Sequence, residues 1–444
     1  MKRMRVYDNS VIDSTQIIDC QRLVESIANK AIIQLEKEGL LFLPGTFKNA
    51  EELTEDQMVF KYVNGKYHSQ NIIGFLSDGK QNLTISSRFS DESNDFLFQY
   101  LITKVIQIPN IFNCEISVSP NQQVHNLYMY LFPLYLSKAL KKGIYKTYQK
   151  REYDDSNFKG TLNVTRHIRK NIPFLGKISY DQSEIAYSND VMQLVRHTIE
   201  FIKSVPNGKV ILSGIADKVR SVQNVTMNYQ KSQRRNILYK NIHSPLNHAY
   251  YNEYVQLQKL CLLILSHDKF IFGTGINKIH GVLFDAAWLW EEYIASLLET
   301  NFYHPKNKTK VGVQKLFTTN NSTQVGAVYP DFISQSNNPR IIIDAKYKPK
   351  ENIGNKDYLQ MLAYLFRFQS EKGFFIYPDK ADNENELFKV NSGTSYERNV
   401  VPRDEISIVK YAFKIPLNID DYSEFVMEMK KREESLIVEM NQYQ

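Results

Sequence analysis

Three consecutive isoleucines, Ile341 to Ile343, run into Asp344-Ala-Lys346, and this segment constrains the fold more than any other stretch of the chain. A β-branched run of this kind is typical of a buried strand. Side chains alternate along a strand, so Asp344 and Lys346 point to one side, Ala345 and Tyr347 to the other. Just upstream, Pro330-Asp331 opens a second short strand in Tyr329-Pro-Asp-Phe-Ile-Ser. Gln335-Ser-Asn-Asn-Pro339, between the two, is turn material. If the strands pair as a hairpin, Asp331 lies beside Asp344.

Two carboxylates and an ammonium on one side of a hairpin have a definite chemical use. Hard oxygens bind Mg2+ or Mn2+, and Mg2+ keeps several of its waters. Such an ion polarises a phosphodiester, lowers the pKa of a bound water and stabilises the leaving oxygen. Lys346 can orient that water or help deprotonate it. The alternative is a surface hairpin with ordinary salt bridges, which is the commoner meaning of a bare P-D…D-x-K string.

Two flanking features shift the balance. In Ala287-Trp-Leu-Trp-Glu-Glu-Tyr-Ile-Ala-Ser-Leu-Leu298, residues Trp290, Tyr293, Ile294, Leu297 and Leu298 share one helix face. Glu291 lies at the edge of that face, and Glu292 lies nearly opposite, where solvent is expected. Downstream, Asp357-Tyr-Leu-Gln-Met-Leu-Ala-Tyr364 places Gln360 and Tyr364 one helical turn apart. An amide and a phenol there can support the carboxylates or touch a DNA backbone, although Q-x-x-x-Y alone is more often ordinary helix surface.

In order, these are a helix glutamate, P-D, thirteen positions to D-x-K, then Q-x-x-x-Y. The series resembles the PD-(D/E)xK nuclease superfamily in its RecB-like branch. More closely, it is similar to the McrC family, the nuclease subunits of McrBC-type restriction systems. Asp331, Asp344 and Lys346 match the family motif residue by residue, and Trp290-Glu291 stands where Phe-Glu is usual. Further similarity lies in Phe158-Lys-Gly-Thr-Leu, Ile185-Ala-Tyr-Ser-Asn-Asp with Gln193, and Asn247-His-Ala-Tyr-Tyr. It also lies in Ile73-Gly74 and Ile85-Ser-Ser-Arg-Phe. The resemblance covers most of residues 70–370, with its specificity at 291–364, and the first ~70 residues match poorly.

The resemblance implies a Mg2+-dependent (or Mn2+-dependent) DNA endonuclease. Asp331, Asp344 and Glu291 would hold the metal, and Lys346, Gln360 and Tyr364 would complete the catalytic group. It implies a separate McrB-like AAA+ GTPase partner, stimulated by this chain and responsible for reading DNA, including any modified cytosine. The absence of a G-x-x-x-x-G-K-[ST] pattern agrees with that division. Two other functions stay open: a non-catalytic adaptor tethering a motor to DNA, and a repair or recombination nuclease of the same superfamily.

The expected architecture is a multi-domain α/β chain, since 444 residues suggest two or three domains at ~150 each. Residues 1–123 would form a β-containing N-terminal domain, which the resemblance implies docks the partner, and 124–275 a helical, basic middle region. Residues 276–444 would form a PD-(D/E)xK restriction-endonuclease-like core, a mixed sheet flanked by helices. Expected elements are a helix over 19–38, a hairpin over 71–89 turning at Asp78-Gly79, and helices over 124–142, 190–205 and 250–266. The Gly273 and Gly275 stretch marks a boundary.

Hydrophobic residues at 43% and charged residues at 23% exclude wholesale disorder. The cysteines Cys20, Cys114 and Cys261 form no CxxC pair, which argues against a disulfide framework or Cys-type zinc site and fits a reducing cytoplasm. The apolar run Leu260 to Leu265 is too short to span a bilayer, and the first residues lack a secretory h-region, so no membrane association is expected. The net charge of +7 is concentrated between Lys138 and Lys170, which hold ten Lys or Arg against three acids. With Tyr145, Tyr148, Tyr153 and Phe158 interleaved, Lys141, Lys142, Lys146, Lys150 and Arg151 are candidates for DNA contact. A solvated helix end plus a loop is the equally weighted alternative.

Overall fold

Ile341, Ile342 and Ile343 are fully buried in the strand Ile341–Ala345, each contributing about 1.5–3 kcal/mol of hydrophobic stabilisation. This strand lies inside a mixed six-stranded sheet of the computed structural model. The sheet order is Phe302–Tyr303, Phe332–Ser334, Ile341–Ala345, Lys372–Asp379, Val401–Lys414 and Glu386–Ser392. Ile341–Ala345, Lys372–Asp379 and Val401–Lys414 run parallel, and the remaining pairs are antiparallel. The helix Asn355–Phe368 makes the crossover between the first two parallel strands. Its Met361, Tyr364, Leu365 and Phe368 pack with Ile333, Ile342, Phe375 and Ala412 of the sheet. The helix Ala286–Leu298 covers the other face, where Trp290 and Tyr293 meet Phe413, the neighbour of Ala412 along its strand.

The structure describes residues 2–37, 57–78, 80–91, 95–105, 120–206, 208–265, 280–305, 313–336, 340–381, 383–393 and 400–442. They divide into two compact units, one made of Met1–Val124 with Asn277–Gln444, the other of His125–Ile276. The first and last segments, treated separately from sequence, thus share a unit. The expected boundary at Gly273 and Gly275 lies outside the described residues.

In the first unit, a four-stranded sheet runs Lys2–Tyr7, Gln81–Ser86, Ile72–Ser77, His280–Asp285. The expected hairpin is present, with Leu76 opposite Leu83. Asp78 braces its turn by accepting from Lys80 N and Gln81 N, and Gly79 lies outside the described residues. Gly74 has φ +143°, and a Cβ there would meet Val282 O at 2.1 Å, so the pairing with His280–Asp285 needs glycine. The helix expected over 19–38 is instead two helices, Gln21–Ile27 and Ile32–Lys37. Asn29 interrupts them with φ +57°, its side chain accepting from Tyr62 N and its N–H donating to Phe60 O. Strand contacts override the local helical pattern there.

The second unit contains the helices Asp190–Ser204, Ala216–Val225, Arg234–His243 and Asn252–Leu265. The helix expected over 124–142 spans Pro120–Leu140, and Gly143 (φ +85°) follows as its stop, donating to Leu140 O. The reading of residues 138–170 as helix end plus loop is corrected. Thr147–Asp155 is a strand paired along its length with Ile178–Ala186, and Val164–Lys170 is a short helix. Among the described residues, no helix is long and apolar enough to cross a membrane.

Candidate nuclease site

The short strand Phe332–Ser334 pairs antiparallel with Ile341–Ala345, placing Phe332 opposite Ile343 and Ile333 opposite Ile342. One step further along this register, Asp331 faces Asp344. Asp331 Oδ2 accepts from Ala345 N at 2.8 Å, which fixes the carboxylate at the strand end. Asp344 is buried, and its carboxylate is in contact with the Lys346 ammonium. Asp331 and Asp344 share a face with Ile333 and Ile342, the face covered by helix Asn355–Phe368. The alternation expected from sequence therefore delivers both carboxylates and Lys346 to one side.

The helix supplies the opposite wall. Lys346 Nζ donates to Gln360 Oε1 at 3.3 Å, and Gln360 Nε2 donates to Tyr364 OH at 2.6 Å. Tyr364 OH donates in turn to Tyr329 O at 3.0 Å, tying the helix to the chain just ahead of Asp331. Gln360 and Tyr364 thus act in series: Tyr364 is buried and anchors Gln360, which is exposed and steadies the lysine.

The pair is electrostatically strained. Burial holds the Asp331 carboxyl well above the usual carboxylate range. The negative charges of Asp344 and Glu291 and a hydrogen bond to Asp344 push it further, and Lys346 only partly offsets them. Burial disfavours the Lys346 ammonium, but Asp344, Asp331 and Asp357 outweigh it and hold the group charged. Burial, together with the Asp344 and Asp331 charges, keeps the Tyr364 phenol protonated.

Glu291 behaves differently. Its helix begins at the N-cap Asp285, which accepts from Trp288 N, and is held to the sheet by Trp290 Nε1 donating to Ile376 O at 3.2 Å. Glu291 reaches His304, with Oε1 3.7 Å from Nε2. The other ring nitrogen of His304 lies 2.7 Å from Asp331 O, and its ring stacks on Phe332. Glu291 is near enough to raise Asp331, but among the described residues no three His, Cys, Asp or Glu side chains form a ready metal cage. Glu292 is corrected from solvated to half-buried, because Trp288 Nε1 donates to it at 3.1 Å.

Magnesium needs only one or two carboxylates beside its waters and substrate phosphates. The Asp331–Asp344 pair fits that donor set: two adjacent hard carboxylates, one of them driven toward its neutral form by burial and by the neighbouring negative charges. Two residues around this pair were missed from sequence. His304 is one of nine scattered histidines, without a spacing signal. Asp357 lies three residues before Gln360 on the same helix, a spacing that was legible.

The candidate DNA-contact residues lie in the second unit. Lys141 and Lys146 are exposed, with no ion-pair partner among the described residues. Lys142 is 3.8 Å from Glu253 and lies over the Tyr250 ring. Lys150 pairs with Asp181 at 2.9 Å, and Arg151 approaches Glu184 at 3.7 Å. Both acids come from the partner strand, so part of the local positive charge is neutralised by residues just outside the basic window.

Residues 68–378 match the sequence profile of the family described as McrBC 5-methylcytosine restriction system component. No curated protein gives a significant match. One similar solved structure is the half-complex from a tetradecameric assembly of Thermococcus gammatolerans McrB AAA+ hexamers with bound McrC. Its identity is 15%, its TM-score 0.47, and the match covers 97% of this chain and 99% of that one. The Thermococcus gammatolerans McrBC complex is another, at 15% identity and TM-score 0.32, covering 67% of this chain and 87% of that one. The profile match takes in every residue of the candidate site and most of the sequence, and by it the chain belongs to the family of McrBC 5-methylcytosine restriction system components.

Proposed function

We propose that this chain is the DNA-cutting subunit of a McrBC-type restriction system, an endodeoxyribonuclease dependent on Mg2+ or Mn2+ with a PD-(D/E)xK core. The observation that carries this reading is the meeting of Asp331, Asp344 and Lys346 on one sheet face, beneath Gln360 and Tyr364. In this reading Asp331 and Asp344 bind the divalent ion, and Glu291 adds negative charge behind them. The ion, when bound, polarises the scissile phosphate and lowers the pKa of a water. Lys346 orients the attacking water, and Gln360, anchored by Tyr364, holds the lysine in place.

Membership in a restriction-system family supports this setting. A sequence without a P-loop pattern supports a separate McrB-like AAA+ GTPase, which would deliver the DNA and which this chain would stimulate. The test is plasmid cleavage by the reconstituted complex with Mg2+ and GTP. The expected result is cutting by the wild type and none by Asp344→Ala, with partner binding retained. Undiminished cutting by the variant would remove the basis of the nuclease assignment.

A further inference from the structure

Lys346 occupies the place a cation needs. Its ammonium rests on Asp344, half of the carboxylate pair assigned above to the divalent ion. Ammonium and metal repel each other across a shared carboxylate, so binding the ion requires Lys346 to give ground without leaving the site. An ammonium has three donors and follows the acceptors around it.

One further carboxylate lies within its reach. Asp357 Oδ1 is 3.7 Å from Lys346 Nζ and belongs to the helix rather than to the strand. Asp357 is buried and held in place through its other oxygen. Oδ2 accepts from Lys348 Nζ at 2.7 Å and from Gly354 N at 3.0 Å. It opens the helix that carries Gln360, whose Oε1 already touches the same ammonium. Asp357 and Gln360 therefore form a second seat for Lys346, built on the helix and facing the first seat on the strand.

We propose that Asp357 is a positioning residue that receives the Lys346 ammonium when a divalent cation takes the Asp331–Asp344 pair, and so sets the affinity of that pair for the cation. This rests on the nuclease reading for the identity of the cation site. It goes beyond that reading by giving a role to a carboxylate that would otherwise serve only to cap a helix and pair with Lys348. Lys348 is the fixed partner of Asp357, and Lys346 is the mobile one.

The experiment is calorimetric titration of Mn2+ into the full chain, without DNA or nucleotide. Asp357→Asn keeps an acceptor for Gly354 N but removes the charge. It is expected to weaken Mn2+ binding by about tenfold, the scale of lost outer-shell support at metal sites. Asp357→Glu is expected to restore most of the affinity. In a Lys346→Met background, where no ammonium needs a second seat, Asp357→Asn is expected to change affinity little. Equal weakening with and without Lys346 would overturn the proposal, since it would mark a general loss of charge or structure. So would an unweakened Asp357→Asn. Asp344→Asn serves as the separate control: wild-type Mn2+ binding in that variant would overturn the cation site itself, and the proposal with it.

Discussion

The hydroxyl oxygens of Ser87 and Tyr347 lie 2.6 Å apart across 260 positions of sequence. Arg88, beside Ser87, donates to Tyr347 O at 2.8 Å and holds its guanidinium over the Tyr347 ring. Tyr347 directly follows Lys346 and points to the opposite face of the strand. The N-terminal hairpin therefore grips the candidate site from behind.

Both hydroxyls are buried, and Ser87 Oγ also accepts from Phe89 N at 3.1 Å, so Ser87→Ala orphans two groups, whereas Tyr347→Phe leaves Ser87 one partner. Ser87→Ala is expected to cost about 1–3 kcal/mol. Tyr347→Phe should cost less, since Ser87 Oγ keeps Phe89 N, and the double variant clearly less than the sum. Denaturant unfolding of the four proteins measures this, and strict additivity would show that the hydroxyls do not act as a pair.

Lys346→Ala is expected to lower cleavage by about 10²–10³-fold, the usual loss for one preorganised group at a reacting centre. DNA affinity should hold, because Lys346 is one cation largely turned inward. Single-turnover cleavage and filter binding on the same preparation separate the two effects. A parallel loss of affinity and cleavage would make Lys346 a phosphate contact instead.

Asp8, partner of the same Arg88 that holds Tyr347, gives a separate pH signature. Burial pushes its carboxyl up to about 7 against the opposing Arg88, 3.5 Å away, and Asp95 adds repulsion. Between its ordinary 3.8 and about 7, the folded chain holds a proton that the unfolded chain has released. This contribution to stability is complete below the lower value and is lost as pH rises through the upper one. Asp8→Asn keeps an acceptor for Arg88 N and should flatten the fall in stability over that range. Urea unfolding at a series of pH values tests it, and an unchanged slope would assign the fall to other groups.

If the basic strand region meets DNA, Lys141 and Lys146 are the cations to remove, because Lys150 and Arg151 already face Asp181 and Glu184. Replacing both by Gln should flatten the salt dependence of binding by about 0.9 per lost phosphate contact, equally for all sequences. Lys150→Gln should change the slope less. Equal slopes for wild type and both variants would make this basic segment an ordinary solvated surface.

The purified chain alone is expected to hydrolyse no GTP, whatever its cleavage activity. Phosphate release over hours, with and without an AAA+ partner, checks this. Turnover by the isolated chain would contradict the proposed division of labour.

What could be read from sequence followed from local chemistry. The isoleucine run and strand alternation sufficed to put Asp331, Asp344 and Lys346 on one face, and helical spacing sufficed to align Gln360 with Tyr364. What could not be read depends on partners distant in sequence. Asn29 breaks a helix because Phe60 and Tyr62 bind it. Thr147–Asp155 is a strand because Ile178–Ala186 lies beside it, and the acids of that neighbour cannot be seen in a charge count over 138–170. His304 bridges Glu291 and the Asp331 backbone only once Phe302–Tyr303 has joined the sheet edge. Asp357 was within view, but its role depends on how close Lys346 comes.

The interrupted first unit also sets a timetable on the ribosome. Strand Ile72–Ser77 and helix Phe96–Val105 are made early, yet their neighbours His280–Asp285 and Ala286–Leu298 follow only after His125–Ile276 has been translated. At about 5–20 residues per second, that delay is on the order of ten seconds. The inserted unit carries its own core and can close in the meantime. Strand Val401–Lys414, flanked by Lys372–Asp379 and Glu386–Ser392, emerges later still. The sheet behind the carboxylate pair is therefore secured only after the inserted unit has been made.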